Sequence, residues 1–396
     1  MSVLAESRAA RPSQPGPGAE SPSASSLQQL KAEKRALVRE YAGGDNREGF
    51  REVLVTVVPL AICCWIAGWG LHVSLWITVA ATLAISLFMA RVFTLMHDCG
   101  HGSLFATPRL NRVVGFFFGV ASGMPQYVWS NHHHYHHQTN GNWDRYRGAL
   151  TTLTIPEFEA LSGFRQWVYL TVRHPALLPL GGFIYLLFNP RFNWIRGTLA
   201  LVAHVLRGKI ARPSLSFREH AATFQTRLWA SPREYWHQTG NNVVLLSLWV
   251  LFSWAIGIVP FFAIYLTSVS LAGGAGIALF TVQHNFEHSY ASDGAHWDYE
   301  TGAIAGSSFL ILPRWLNWFT ANIAYHHVHH LSAKIPNYRL IECHDQHREL
   351  FTDVTRVNLF QIPQALKYIL WDTRTQRIIS VAEYNRQQTT QSAMAS

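Results

Sequence analysis

Two stretches of the chain carry no charged residue, Val53 to Ala90 and Asn241 to Val282, and each is long enough for two bilayer crossings of roughly 20 residues. The first is interrupted near its middle by Gly68, Gly70 and His72, and the second by Pro260. Each tract therefore predicts a pair of spans joined by a tight turn, giving four transmembrane helices in two hairpins. Three shorter apolar runs, Val113 to Met124, Pro175 to Phe188 and Thr198 to Leu206, fall short of a crossing at about 1.5 Å per residue. They suit interfacial or re-entrant helices, with an additional hairpin over Trp167 to Leu206 as the alternative. The fold class predicted is an all-α integral membrane protein.

The flanks read differently. Residues 1–26 are rich in Ala, Ser and Pro and offer little apolar surface to bury, which predicts a disordered tail. They lack the apolar core of a signal peptide, and Ser2 stands where myristoylation needs a glycine, so membrane attachment is expected from the internal tracts. Residues 375–396 are polar and are expected to be a frayed tail, which leaves 27–374 as one membrane domain.

Composition sharpens this picture. Across 396 residues, 49% hydrophobic and only 14% charged is too apolar for an ordinary soluble enzyme. Four cysteines, two of them adjacent at Cys63 and Cys64, supply neither a spaced disulfide framework nor a paired-cysteine zinc motif. The net charge is +9, and none of the 32 Lys and Arg residues lies in either tract. With two hairpins they all fall on one side of the bilayer, which is normally the cytoplasmic side. The basic central loop, with Arg207, Lys209, Arg212, Arg218, Arg227 and Arg233, suits anionic headgroups or an acidic protein donor. The charge is too dispersed for nucleic acid to be a partner.

Histidine is the anomaly: there are 21, most of them in four clusters. His97 and His101 end the second span, four apart and therefore on one helical face. His133, His136 and His137 have offsets of zero, three and four, and His326, His329 and His330 repeat them. His284 and His288 follow the fourth span, and an even number of crossings separates them from His97, so all four clusters can meet. A lone histidine beside an apolar helix is more often packed than ligating; four clusters with repeated ligand spacing reverse that expectation. Nine or ten imidazoles exceed what one metal holds, and without thiolates they suit two centres of four or five nitrogens. Two irons, activating oxygen beside a lipid phase, fit that donor set best. Asp98, Asp144 and Glu287 are candidates to hold the second ring nitrogens of ligating histidines. Tyr135 and Tyr325 read as packing residues, and Trp129, Trp315 and Trp318 as anchors at the membrane interface.

At these residues the chain resembles the membrane fatty acid desaturases, particularly the acyl-lipid enzymes of bacteria and plastids that act on an already monounsaturated chain. His97 to His101, His133 to His137 and His326 to His330 match that family's three boxes, and Ala324 to Leu340 is similar to its last box and continuation. The resemblance runs over roughly Val53 to Ile369. It implies a di-iron site bound by histidines in a cytosolic helical cap above four spans, here in a bacterial inner membrane. It also implies oxygen-dependent removal of two vicinal hydrogens from an acyl chain, at a delta-12 or omega-6 type position. By the same resemblance a further ligand comes from the segment of His284 to His288, with His288 assigned as a ligand and His284 as a direct or water-mediated one. His133 is preferred to His132 because it repeats the last box.

Related di-iron hydroxylases, carotenoid ketolases and alkane monooxygenases use similar boxes and are the near alternatives. A metal transporter or sensor is the alternative of another class. Transport calls for ionisable groups inside the spans, and the tracts hold no carboxylate and no histidine besides His72. The chain has no flavin, dinucleotide or haem-binding motif, so the electrons are expected from a separate ferredoxin-like protein or small cytochrome.

Overall fold

The computed structural model describes residues 24–148 and 150–395. Most of the disordered tail expected for residues 1–26 lies outside them. Helix α1 (Ala24–Tyr41) already includes its last three residues, and it buries Leu30, Leu37 and Tyr41 against Val328, Leu331 and Ile335. Among the described residues four helices are long and apolar enough to cross a membrane: α2 (Asn46–Val73), α3 (Leu75–His101), and, later in the chain, Pro232–Ile256 and Ile258–His284. Asp45 caps α2 by accepting from the Glu48 amide at 2.9 Å, and only Ser74 separates α2 from α3. The two run antiparallel, since Thr78 near the start of α3 donates to the Ala67 carbonyl (3.0 Å) while Arg91 near its far end donates to Thr56 (2.9 Å).

Helix α3 is the inner helix of the four and α2 an outer one, with 61% and 17% of their apolar windows buried. Leu54, Val58, Ile62, Trp65 and Trp69 of α2 are exposed, an apolar face that water would not tolerate but lipid does. Next come α4 (Pro108–Ser122), which packs on α3, and α5 (Gln126–Thr139). The segment from 163 to 211 forms α6 (Gly163–Thr171) and then a run over Pro175–Ala211 that is bent against it by 66° and ends in α7 (Asn189–Ala211). It is a broken or re-entrant element, not a third pair of straight crossings. A Cβ on Gly182 would run into the backbone of Gly273 and Gly274, so glycine lets this element lie directly on the fourth long helix. The two remaining long helices are α8 (Pro232–Ile256) and α9 (Ile258–His284). Ser268 of α9 donates to the Thr82 carbonyl of α3 at 3.3 Å.

The cap is not wholly helical, which corrects the all-α expectation. Strand β1 (Leu153–Thr154) pairs in parallel with β4 (Tyr368–Asp372), which pairs antiparallel with β5 (Arg377–Ser380); β2 (Phe309–Ile311) pairs in parallel with β3 (Arg356–Asn358). Between them lie the short helices α10 (Tyr299–Ala305), α11 (His326–Leu331) and α12 (Leu340–Gln346). The polar tail expected from residue 375 is instead β5 and α13 (Val381–Ala395). Ile378 and Ile379 are buried, and the Ile378 amide donates to the Glu287 carbonyl at 3.0 Å. Two apolar residues sufficed to seat that strand because Asp372 folds the turn before it, accepting from the Arg374 and Thr375 amides.

Candidate metal centre

The ends of α3 and α9 arrive at the same place, and α5 and α11 lie across them. Helix α3 stops just after its second histidine because Gly102 takes the left-handed conformation (φ 69°) and returns its amide to the carbonyls of Asp98 and Cys99. The nine imidazoles gathered there form two groups: His97, His101, His133, His137 and His329, and His136, His284, His326 and His330. Within each group the ligand nitrogens lie within 4.8 Å of one another.

The division follows helix geometry. Residues advance by about 100° each, so a residue four ahead sits about 40° to one side of the first and a residue three ahead about 60° to the other. On α5, His133 and His137 share a group while His136 joins the other; on α11, His326 and His330 share a group while His329 crosses over. Each triplet that sequence places on one face thus serves two centres.

His284 is the last residue of α9. Asn285 is extended (φ −108°, ψ 90°), so the four-residue spacing to His288 is not helical. His288 is exposed and belongs to neither group, which corrects its expected place beside His284. His132 is likewise exposed and outside both groups, and Nδ1 of His134 turns back to the Ser130 carbonyl at 2.8 Å. His327 is buried but points away, with Nε2 2.8 Å from Nδ1 of His344.

The arrangement suits a cation better than a hydrogen-bond network. Nε2 of His284 lies 3.1 Å from Nε2 of His136 and 2.9 Å from Nε2 of His326, and His136 Nε2 is 3.2 Å from His330 Nε2. In the other group His137 Nε2 is 3.0 Å from both His133 Nε2 and His329 Nε2. The Nδ1–H of His284 donates to the Gly306 carbonyl at 2.9 Å, which leaves its Nε2 a bare lone pair aimed at its neighbours. Nε2 of His97 and of His101 are buried with no hydrogen-bond partner at all. Burial, reinforced by neighbouring imidazoles, holds His133, His136, His137, His326, His329 and His330 well below the ordinary histidine pKa, so the rings are neutral. Neutral lone pairs crowded at about 3 Å repel unless a positive ion sits among them, and nitrogens at about 2.1 Å from one ion and at right angles to each other would be about 3.0 Å apart.

The acidic candidates separate clearly. Asp98 is buried; its Oδ1 accepts from Nδ1 of His97 at 2.9 Å and its Oδ2 from the Asn337 amide at 2.9 Å. Asp144 is exposed and accepts from the Gly294 amide, and Glu287 pairs with Arg377, so neither holds a ring nitrogen. Trp129 is not an interfacial anchor: it is buried, stacks on His133 with centroids 4.4 Å apart, and donates to Tyr185 at 3.0 Å. Trp315 is exposed, while Trp318 lies beneath Arg91. Tyr325 packs on Phe309, and Tyr135 is exposed. Two aromatic neighbours escaped the sequence reading: Phe280, one turn before His284 on α9, and Tyr146, each with its ring 5.0 Å from that of His136.

A family model described as fatty acid desaturase matches residues 74–360, a range that includes all four histidine clusters. A fatty acid desaturase of Bacillus subtilis (strain 168) is 32% identical over 345 residues, covering 87% of this chain and 88% of that protein. A chloroplastic sn-2 acyl-lipid omega-3 desaturase (ferredoxin) of Helianthus annuus is 24% identical over 304 residues, 75% of this chain and 61% of its own length. An endoplasmic reticulum omega-3 fatty acid desaturase of Nicotiana tabacum is 24% identical over 314 residues, covering 75% and 72%.

Proposed function

Because the chain belongs to the fatty acid desaturase family, we propose that it inserts a double bond into the acyl chain of a membrane lipid, using two iron ions and molecular oxygen. The observation that carries this reading is the convergence of nine buried imidazoles from four helices into groups of five and four. Two irons held there would supply oxygen activation. Loss of two vicinal hydrogens from the acyl chain, with two electrons and two protons from outside, balances reduction of one oxygen molecule to two waters.

The chain's own residues do the rest. Asp98 and the Gly306 carbonyl hold Nδ1–H of His97 and His284 and so present Nε2 to the metal. Trp129, Phe280 and Tyr146 pack around the rings and keep water from them. Helices α2 with α3 and α8 with α9 act as two hairpins, delivering His97, His101 and His284 to the cytoplasmic rim of a bacterial inner membrane. The bond formed is of delta-12 or omega-6 type on an already monounsaturated chain. Both plant relatives described above are named for omega-3, and the product decides between the two positions: a diene made from a monoene supports our assignment, and a triene made from a diene replaces it.

The test is gas chromatography with mass spectrometry of lipids from a host expressing the wild type and His133→Ala. New dienoic acids with the first and none with the second are expected. Hydroxylated or keto products would move the chain to the hydroxylases, monooxygenases or ketolases, and box-dependent metal uptake by vesicles to the transporters. The electron donor is a separate ferredoxin-like protein or small cytochrome that docks on the basic face. Its association should weaken as salt rises, and indifference to salt would remove the electrostatic dock.

A further inference from the structure

Glu52 and Arg91 immediately flank the uncharged tract Val53 to Ala90. Antiparallel packing of α2 on α3 brings them together as a salt bridge, and both are buried. Arg91 also donates to Thr56 at 2.9 Å and to the Trp318 carbonyl, with its guanidinium 3.9 Å from the Trp318 ring centre. Glu52 Oε2 accepts a second bond, from the side-chain amide of Asn337 at 3.2 Å.

Asn337 does two things at once. Its side chain reaches Glu52, and its backbone amide donates to Asp98 Oδ2 at 2.9 Å. The other oxygen of Asp98 accepts from Nδ1 of His97. A continuous buried chain therefore runs from Arg91 through Glu52, Asn337 and Asp98 to His97, and each of these residues is no more than 5% exposed. Glu52 is offset by Arg91 and, through Oε1 at 3.3 Å, by Arg51, whereas Asp98 faces His97 and whatever cation that ring binds. Asn337 is itself pinned: its carbonyl accepts from Asn322 at 3.0 Å, and next to it Tyr338 accepts from the Asp45 amide at 2.6 Å and donates to the Leu104 carbonyl at 3.3 Å.

We propose that Asn337 is a positioning residue, the joint through which the Glu52–Arg91 pair at the mouth of the first two spans fixes Asp98, and so sets the orientation of His97 and the metal affinity of the five-histidine group. This rests on the reading that the histidines bind iron. A purely structural joint would stabilise the fold without distinguishing the two groups, and that difference is measurable.

Full-length protein in detergent is loaded with two equivalents of isotopically enriched ferrous iron, challenged with chelator, and followed by Mössbauer spectroscopy alongside thermal unfolding. In Asn337→Ala one iron should leave at about tenfold lower chelator concentration, at the low end of what loss of an outer hydrogen-bond partner does. Its quadrupole doublet alone should shift, as it should in Asp98→Asn. Unchanged retention of both irons, or parallel loss of both with a lower melting temperature, overturns the proposal. Should Asn337→Ala fail to accumulate, Asn337→Ser, read by the same criteria, decides. Wild type that binds no iron would instead sink the metal assignment itself.

Discussion

The two histidine groups share helices α5 and α11, but the five are completed from α3 and the four from α9, and the two are supported differently. The group of five is backed by a carboxylate, Asp98 on His97, whereas the group of four is backed by a neutral carbonyl, that of Gly306 on His284. Both partners fix the tautomer and orient the ring, but only the carboxylate adds a negative charge that tempers the charge of a bound ion. The centre with five nitrogens and a nearby anion should hold its metal more firmly. The centre with four would leave a bound metal one more position for an incoming ligand, as catalytic sites that keep an open position do.

The largest effect that can test this difference comes from deleting a ligand in each group. His326→Ala leaves three nitrogens and His133→Ala leaves four, so both should cut dienoic product more than about 100-fold, and the first should lose iron more completely. Equal iron loss would show that the groups act as one unit. Next, Asp98→Asn keeps shape and removes charge, and it should weaken iron binding by about 10- to 100-fold at the group of five only. A matching change at the group of four would contradict the asymmetry.

Smaller effects fall outside the groups. Ile379→Ala opens a cavity under β5 and should destabilise the cap by about 2–5 kcal/mol in denaturant unfolding while both irons still bind. Last, His288→Ala should change stability by less than about 0.5 kcal/mol and leave iron content alone, since an exposed side chain away from the groups has little to lose. Loss of an iron in that variant would restore His288 as a ligand.

How much of this was legible in the sequence depended on the range of the interaction. The four long helices and the histidine clusters could be read because apolar length and spacings of three and four are local properties. The i, i+3, i+4 rule placed each triplet on one face but did not resolve its division, although the turn per residue that separates His136 from His133 and His137 is equally local. The third cluster misled for a definite reason: the spacing of His284 to His288 looks helical, but α9 ends between them. Strands β1, β2 and β3 were hidden because β1 pairs with β4 and β2 with β3 in parallel across long separations, whereas β4 and β5 pair locally and the polar composition after residue 375 masked the second of them. The Glu52–Arg91 pair had left a trace, since a hairpin must bring together the residues that bound its apolar tract.

The closing of β5 onto the Glu287 carbonyl has a bearing on how the protein is made. That strand, and the α11 histidines before it, are synthesised after all four long helices. Chain order therefore predicts that the four long helices are in place while His97 and His101 still await the α11 ring that completes their group. A nascent chain halted after α9 should accordingly retain less iron than one released beyond Ser380. Chain order thus predicts that any metal these rings take up is acquired only after the four long helices have been made.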